Sequence, residues 1–254
     1  MLGPHFSPTT AHTIHFFFEW FAILCGVQTY RFIKRRKGAG KITDGGLFAV
    51  TLGCILGAAI GNKLVFIIED PELWATQGWA ALLQGQSIVG GLLGGLLGVE
   101  ISKKLVGQTS STGDDFVLPL IVGMVVGRIG CFLAGLNDGT FGNATTLPWG
   151  IDFGDGIARH PTQIYDMLVI SSVGLLLWLN RARLAMASGL SFKIYLASYL
   201  LWRLWVDGIK PVPYAYAFEL SGIQWVCIIA LACYLPLLIR QALHLRRMAL
   251  EHVI

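Results

Sequence analysis

The chain has 254 residues, of which 54% are hydrophobic and only 13% charged, with a formal net charge of +4. A soluble domain carries about 25% charged residues, so this chain has too little charge to coat a water-facing globule. Apolar runs near the length of about 20 residues that crosses a bilayer core recur at 12–30, 46–68, 82–101, 116–136, 162–180, 191–208 and 222–240. These runs predict an all-α polytopic membrane protein of about seven transmembrane helices, with 1–254 forming a single transmembrane domain.

The basic residues orient it. With the amino terminus outside, the inner segments and bordering span ends hold Arg31, Lys34, Arg35, Arg36, Lys37, Lys41, Lys103, Lys104, Arg181, Arg183, Lys193, Arg240, Arg246 and Arg247. The outer segments hold Arg159 and Lys210, and Lys63, Arg128 and Arg203 fall within spans. Lysine and arginine bias short loops to the cytoplasmic side. This predicts a periplasmic amino terminus and a cytoplasmic carboxyl terminus in a bacterial cytoplasmic (inner) membrane. Met1–Thr10 has no lysine or arginine, unlike the basic start of a cleaved signal peptide, so span one is read as retained. The net charge belongs to the inner loops and needs no nucleic acid. Cys25, Cys54, Cys131, Cys227 and Cys233 show neither zinc-ligand spacing nor a disulfide framework, and are read as packing residues.

Span one carries His15 and Glu19, four residues apart and able to pair. Lys63 is late enough in span two to snorkel outward. The outer loop 69–81 begins EDPELW and suits an interfacial segment. In span three, GQSIVGGLLGGLLG repeats glycine at four-residue spacing: Gly90/Gly94, Gly91/Gly95 and Gly94/Gly98. Such a face serves close helix packing, thin walls beside an acyl chain, or both. Glu100 is a single acidic group near the inner end of the same span.

Arg128, in VVGRIGCF, has no acidic residue three or four positions away, so its counterion comes from elsewhere: Asp138, Asp166 or a bound phosphate. The stretch 136–160 is rich in Gly, Asp and Asn and reads as a turn-rich outer loop over a membrane site. Asp152 and Asp155 within it either touch substrate or make turns. RHPTQIYD, 159–166, brings His160, Gln163, Tyr165 and Asp166 to a membrane entrance. Arg203 has Asp207 one helical turn on, a spacing that allows a pair. Gln224 precedes Trp225 at the start of span seven. Charge inside a span is costly and marks function by default, and arginine stays charged while offering a fork of donors that fits phosphate. Arg128, Arg203 and Lys63 at one depth in the outer half suit the headgroup of an anionic phospholipid.

These stretches resemble the prolipoprotein diacylglyceryl transferase family over most of the chain. The resemblance rests on GNKLVF at 61–66, GRIGCFLAG at 127–135, RHPTQIYD at 159–166, WRLWVDG at 202–208 and GIQW at 222–225. It implies transfer of a diacylglyceryl group from phosphatidylglycerol to the lipobox cysteine of a preprolipoprotein, releasing glycerol phosphate. It also implies that Arg128 and Arg203 hold the lipid phosphate, with Lys63, Gln163, Tyr165, Asp166, Asp207 and Gln224 in the substrate-binding set. The implied chemistry requires no metal, no cofactor and no enzyme nucleophile, only a base for the thiol. The chain departs from the family pattern in three places. Val89 stands where a histidine is common before the glycine pair of span three. Cys131, Ala134 and Leu136 alter the signature after Arg128, where Asn137 or Asp138 offers a replacement polar group. The base then falls to His160, Glu19 or His15. Two other readings stay open: a relative using a phospholipid donor with a different periplasmic-side acceptor, and a non-catalytic phospholipid-binding protein.

Overall fold

The computed structural model describes residues 2–37, 44–83 and 85–251. Lys41, counted above on the inner side, lies outside them, as do the side chains of Lys37, Arg246 and Arg247.

The fold is helical apart from one small ribbon. Helix α1, Pro8–Lys37, starts where the Ser7 hydroxyl accepts from the Thr10 N–H at 3.3 Å, with proline in the first turn, where its missing N–H is not needed. Helix α2, Asp44–Glu69, is followed directly by the short α3, Pro71–Gln77, capped by the Asp70 carboxylate accepting from Leu73 N–H at 2.9 Å. The outer segment expected at 69–81 is thus itself helical, continuing as a 3-10 turn over Gly78–Leu83. The third span does not run 82–101 as the apolar pattern suggests. Its helix, α4, is Ile88–Leu105, because Ser87 is extended and its side chain caps Gly90 N–H, and the chain bends by 67° at this break.

Helix α5, Val117–Ala134, ends where Gly135 takes a φ of 62°, a conformation that glycine adopts without penalty. Strands β1, Ile151–Asp152, and β2, Ala158–Arg159, pair antiparallel. The turn between them is built by Asp152, whose Oδ1 accepts from the N–H groups of Gly154, Asp155 and Gly156. Asp155 pairs with Arg159 at 2.6 Å, and that guanidinium holds its carboxyl below the usual carboxylate range. Both aspartates make turns. Helix α6 spans Thr162–Leu179, α7 Arg181–Leu184, α8 Leu190–Val206 and α9 Gly222–Glu251, longer than the expected 222–240.

Among the described residues, five helical segments are long and apolar enough to cross a membrane, and a sixth arises if the bent pair of 71–83 and 88–105 is one span. Two kinds of contact join them. Helices α2 and α4 meet along glycines: a Cβ on Gly57 or Gly61 would run into the Gly94 or Gly90 carbonyl, and one on Gly98 into that of Gly53. The Gly90/Gly94/Gly98 stripe is therefore filled by α2 and leaves no space for an acyl chain along it. Helix α8 is the enclosed one, with Tyr195, Leu196, Ala197, Tyr199, Leu200, Arg203 and Val206 all buried. The outward faces are apolar, with Phe16, Phe17, Trp20, Phe48, Ile55, Leu97, Leu175 and Ile229 exposed, as lipid-facing positions should be. One end of the bundle is tied by Lys34 to Asp115 at 2.9 Å, by Asp114 accepting from the N–H groups of Gly189 and Phe192, and by Lys193 to Gln241.

Candidate active site

The polar groups of α5, α6, α8 and α9 converge toward the opposite end. Arg128 is buried on α5, and its Nε lies 2.8 Å from Asp166 Oδ2 on α6. Asp166 is also buried, and its Oδ1 accepts from Trp202 Nε1 at 2.6 Å. Arg203 Nη2 donates to Asp207 Oδ1 at 2.8 Å, and the other Asp207 oxygen accepts from the Ser221 hydroxyl. Gln224 seals this junction. Its amide donates to the Leu204 carbonyl at 3.0 Å and its oxygen accepts from Ser221 N–H at 2.9 Å. The two arginines thus have carboxylates of different origin: one across helices, as the missing local partner required, and one from the next turn.

Between them lies a cavity of about 140 Å³. Its lining includes Arg128, Arg203, Tyr199, Asp207, Glu69, Thr140, Lys210 and residues 86–89, which lead into α4. A guanidinium carries five N–H donors, and each arginine commits one nitrogen to its carboxylate. Among the described residues, Arg203 Nε and the Tyr199 hydroxyl, both buried, find no hydrogen-bond partner. Unpaired buried polar groups cost on the order of 1–3 kcal/mol each, and an anionic ligand in the cavity would relieve that cost. Lys210 completes the rim. Burial, reinforced by Arg203 and Arg128, pushes its ammonium down to about 7. Drug-sized ligands fill about 300–1,000 Å³, so this space takes a headgroup and leaves acyl chains outside.

The other candidates divide. Gln163 is buried and its amide donates to the Thr140 hydroxyl at 3.2 Å. Asp138 accepts from that hydroxyl and lies 2.8 Å from His15 Nε2. Lys63 Nζ donates to the Gly85 carbonyl at 2.8 Å, tying α2 to the break before α4, and it is absent from the cavity lining among the described residues. His160 faces Tyr165, Nδ1 to hydroxyl at 3.3 Å, and that hydroxyl also accepts from Trp149 Nε1. His160 is likewise absent from the lining, as is the exposed Asn137. Glu100 pairs with Lys103 at 2.9 Å.

Sequence reasoning missed Tyr199, Thr140 and Lys210 as cavity residues. A signal for Tyr199 existed: Tyr199, Arg203 and Asp207 recur every four residues, one face of a helix. It also missed that Cys131 Sγ lies 3.7 Å from His15 Nε2 and 3.8 Å from Arg128 Nη1. His15 Nδ1 is 3.9 Å from Glu19, whose carboxylate accepts from Gln86.

A bundle of lipid-length apolar helices around an interior cavity lined by two arginines defines a class, integral membrane proteins with a charged interior site. Within that class the chain belongs to the prolipoprotein diacylglyceryl transferase family, whose profile matches residues 12–240. Similar proteins carry the name phosphatidylglycerol–prolipoprotein diacylglyceryl transferase. That of Geobacter sulfurreducens is 29% identical over 219 residues, covering 82% of this chain and 83% of its own. That of Methylobacillus flagellatus is 30% identical over 227 residues, covering 82% and 84%. That of Teredinibacter turnerae is 31% identical over 214 residues, covering 79% and 71%.

Proposed function

We propose that this enzyme transfers the diacylglyceryl group of phosphatidylglycerol to the lipobox cysteine of a preprolipoprotein and releases glycerol phosphate. One observation carries the assignment: two buried arginines, each spending a single nitrogen on a carboxylate, face one headgroup-sized cavity. The phosphodiester sits between Arg128 and Arg203. The acceptor thiolate attacks the glyceryl carbon that bears the phosphate ester, and the C–O bond breaks with its electrons going to phosphate. The monoanion becomes a dianion as it leaves. Fixed guanidinium donors stabilise that growing charge more than the ground state, and Lys210 adds a third cation when protonated. Asp166 and Asp207 hold the two forks in place, Gln163 positions Thr140 at the cavity wall, and Gln224 anchors the start of α9.

The topology we propose has seven crossings in the bacterial inner membrane, with the amino terminus periplasmic and the carboxyl terminus cytoplasmic. Helix α8 is the crossing that length alone does not pick out. At 17 residues it is short, but its arginine and lysine are shielded by neighbouring helices. The basic ends of α1, α4 and α9, with Arg181 and Arg183 of α7, then share the cytoplasmic side, and the cavity opens toward the periplasm. The 136–160 loop lies over it: Gly139 and Thr140 line the cavity, and His160, through backbone bonds to Gly142 and Asn143, fastens the loop to α6.

The test is a transfer assay in proteoliposomes with acyl-labelled phosphatidylglycerol and a lipobox peptide, beside a Cys→Ser peptide. Label on the cysteine peptide alone, with glycerol phosphate released, is the expected result. Phosphatidylglycerol that binds in an Arg128-dependent way without any transfer would instead assign the chain a different acceptor.

A further inference from the structure

We infer that His15, Cys131 and Asp138 form a three-ligand site for a zinc-type divalent cation, which holds the acceptor thiol as its thiolate. The inference rests on the transfer reaction proposed above.

The three side chains come from separate elements, α1, α5 and the turn after α5, yet their ligand atoms all lie within 4.8 Å of one another. Tetrahedral zinc with Zn–S near 2.3 Å and Zn–N and Zn–O near 2.0–2.2 Å sets sulfur and nitrogen about 3.6 Å apart, and nitrogen and oxygen about 3.4 Å apart. The observed Cys131 Sγ to His15 Nε2 distance is 3.7 Å. His15 Nε2 to Asp138 Oδ1 is 2.8 Å, a hydrogen bond that opens by roughly half an ångström when an ion replaces the proton. A thiolate, an imidazole and a carboxylate together favour zinc over magnesium or calcium, which prefer oxygen alone.

Groups beyond the ligands point the same way. Metal-bound histidine almost always presents its other nitrogen to a carboxylate or carbonyl, and here Glu19 lies 3.9 Å from His15 Nδ1 and is itself held by Gln86. The second oxygen of Asp138 is occupied by the Thr140 hydroxyl, leaving one oxygen for an ion. Three protein ligands leave a fourth position, the pattern of sites that bind an outside group rather than of closed structural ones. The cluster also adjoins the phosphate site. Arg128 lines the cavity and its Nη1 is 3.8 Å from Cys131 Sγ.

An outside thiol in the fourth position loses its proton to water, because a cation of this kind deprotonates a coordinating thiol. The thiolate is the nucleophile that the reaction needs. Its electron pair forms the C–S bond at the glyceryl carbon, and the C–O pair departs on the phosphate. Thiol plus phosphodiester become thioether, phosphate monoester and one proton.

The full-length protein, purified in detergent and dialysed against chelator, is titrated with Zn²⁺ and with Co²⁺ as a spectroscopic probe. The expected result is about one ion per chain at a mixed Cys/His/Asp site, with a thiolate-to-cobalt charge-transfer band lost in Cys131→Ser and in His15→Asn. Glu19→Gln should weaken binding by about 10–100-fold. Retained phosphatidylglycerol binding shows that the variants remain folded. Chelation should stop transfer to the lipobox peptide and zinc should restore it. If the wild type keeps no ion, or Cys131→Ser binds as well, the site is overturned. If transfer runs undiminished in chelator, the site is overturned while the transferase assignment stands. Cys131-dependent zinc with no transfer to any thiol peptide supports the metal site and removes the reaction assigned to it.

Discussion

Two regions of this molecule solve the same problem in opposite ways. Helices α2 and α4 associate with almost no side chains between them, backbone against backbone along Gly53, Gly57 and Gly61 facing Gly90, Gly94 and Gly98. Helices α5, α6 and α8 associate around charges that the bilayer disfavours, Arg128 with Asp166 and Arg203 with Asp207. Helices in lipid gain nothing from hydrophobic association, and small residues that allow close approach are the usual remedy. The glycine seam is that remedy. The polar core is retained despite its cost, and such residues inside a membrane mark function. One region therefore carries stability, and the function proposed above places the chemistry in the other.

Substitutions can break this division. The largest effect on turnover should come from Arg128→Ala and Arg203→Ala, each lowering transfer by about 10²–10³-fold, the range for removing a transition-state donor, with membrane insertion unchanged. Full activity in either would remove the phosphate site. The converse should hold in the seam. Gly94→Val puts a side chain against the Gly57 carbonyl and should cost about 1–3 kcal/mol by overpacking, read as a lower melting temperature, while the remaining folded molecules turn over normally. A variant that loses activity without losing stability would show that the seam takes part in catalysis.

Asp207→Asn sharpens the comparison. Asp207 accepts from Arg203 at 2.8 Å, and a hydrogen bond to a charged group contributes about 1.5–3 kcal/mol. The phosphatidylglycerol KM should rise by roughly tenfold with a smaller fall in kcat; an equal fall in both would give Asp207 a role in the transition state. The mildest effect concerns pH. Lys210 is held down to about 7, so in the empty site it is charged below that value and neutral above it. An anion binds the charged form better, so phosphatidylglycerol affinity should decline as pH rises through about 7, and Lys210→Met should flatten that decline. An unchanged slope in Lys210→Met would assign the titration to another group.

Much of this was legible in the sequence because the membrane restricts what a charge can mean. Arg128 and Arg203 stand out within apolar runs, and the spacing of Arg203 and Asp207 gives their pair directly. Arg128 illustrates the limit: its need for a distant anion can be read from the missing neighbours, but Asp166 is fixed only when α5 and α6 pack. The start of the third span is misplaced by the apolar pattern because Leu82 and Leu83 extend it across the polar run at 84–87, and the Ser87 cap fixes where the helix begins. The grouping of His15 with Cys131 and Asp138 was not legible, since more than a hundred positions separate the first from the others and no local spacing encodes it. Lys63 reads as a cation for the phosphate, and the contact its ammonium makes with the Gly85 carbonyl is one that no local spacing encodes.

The different origins of the two counterions bear on how the chain is made. Arg203 enters the bilayer with Asp207 capping the same helix one turn on, so the pair is delivered together. Arg128 enters on α5 before its partner has been synthesised, and Asp166 arrives only with α6. Arginine at a helix centre raises the free energy of insertion by about 2.5–3.5 kcal/mol, which the strongly apolar remainder of α5, with a mean hydropathy of 2.2, is able to offset. At translation rates of about 5–20 residues per second, that helix waits a few seconds with an uncompensated charge beside the translocon. The length of the connecting loop would then set a biogenesis clock, and lengthening it should expose the nascent chain to membrane proteases before Arg128 and Asp166 meet.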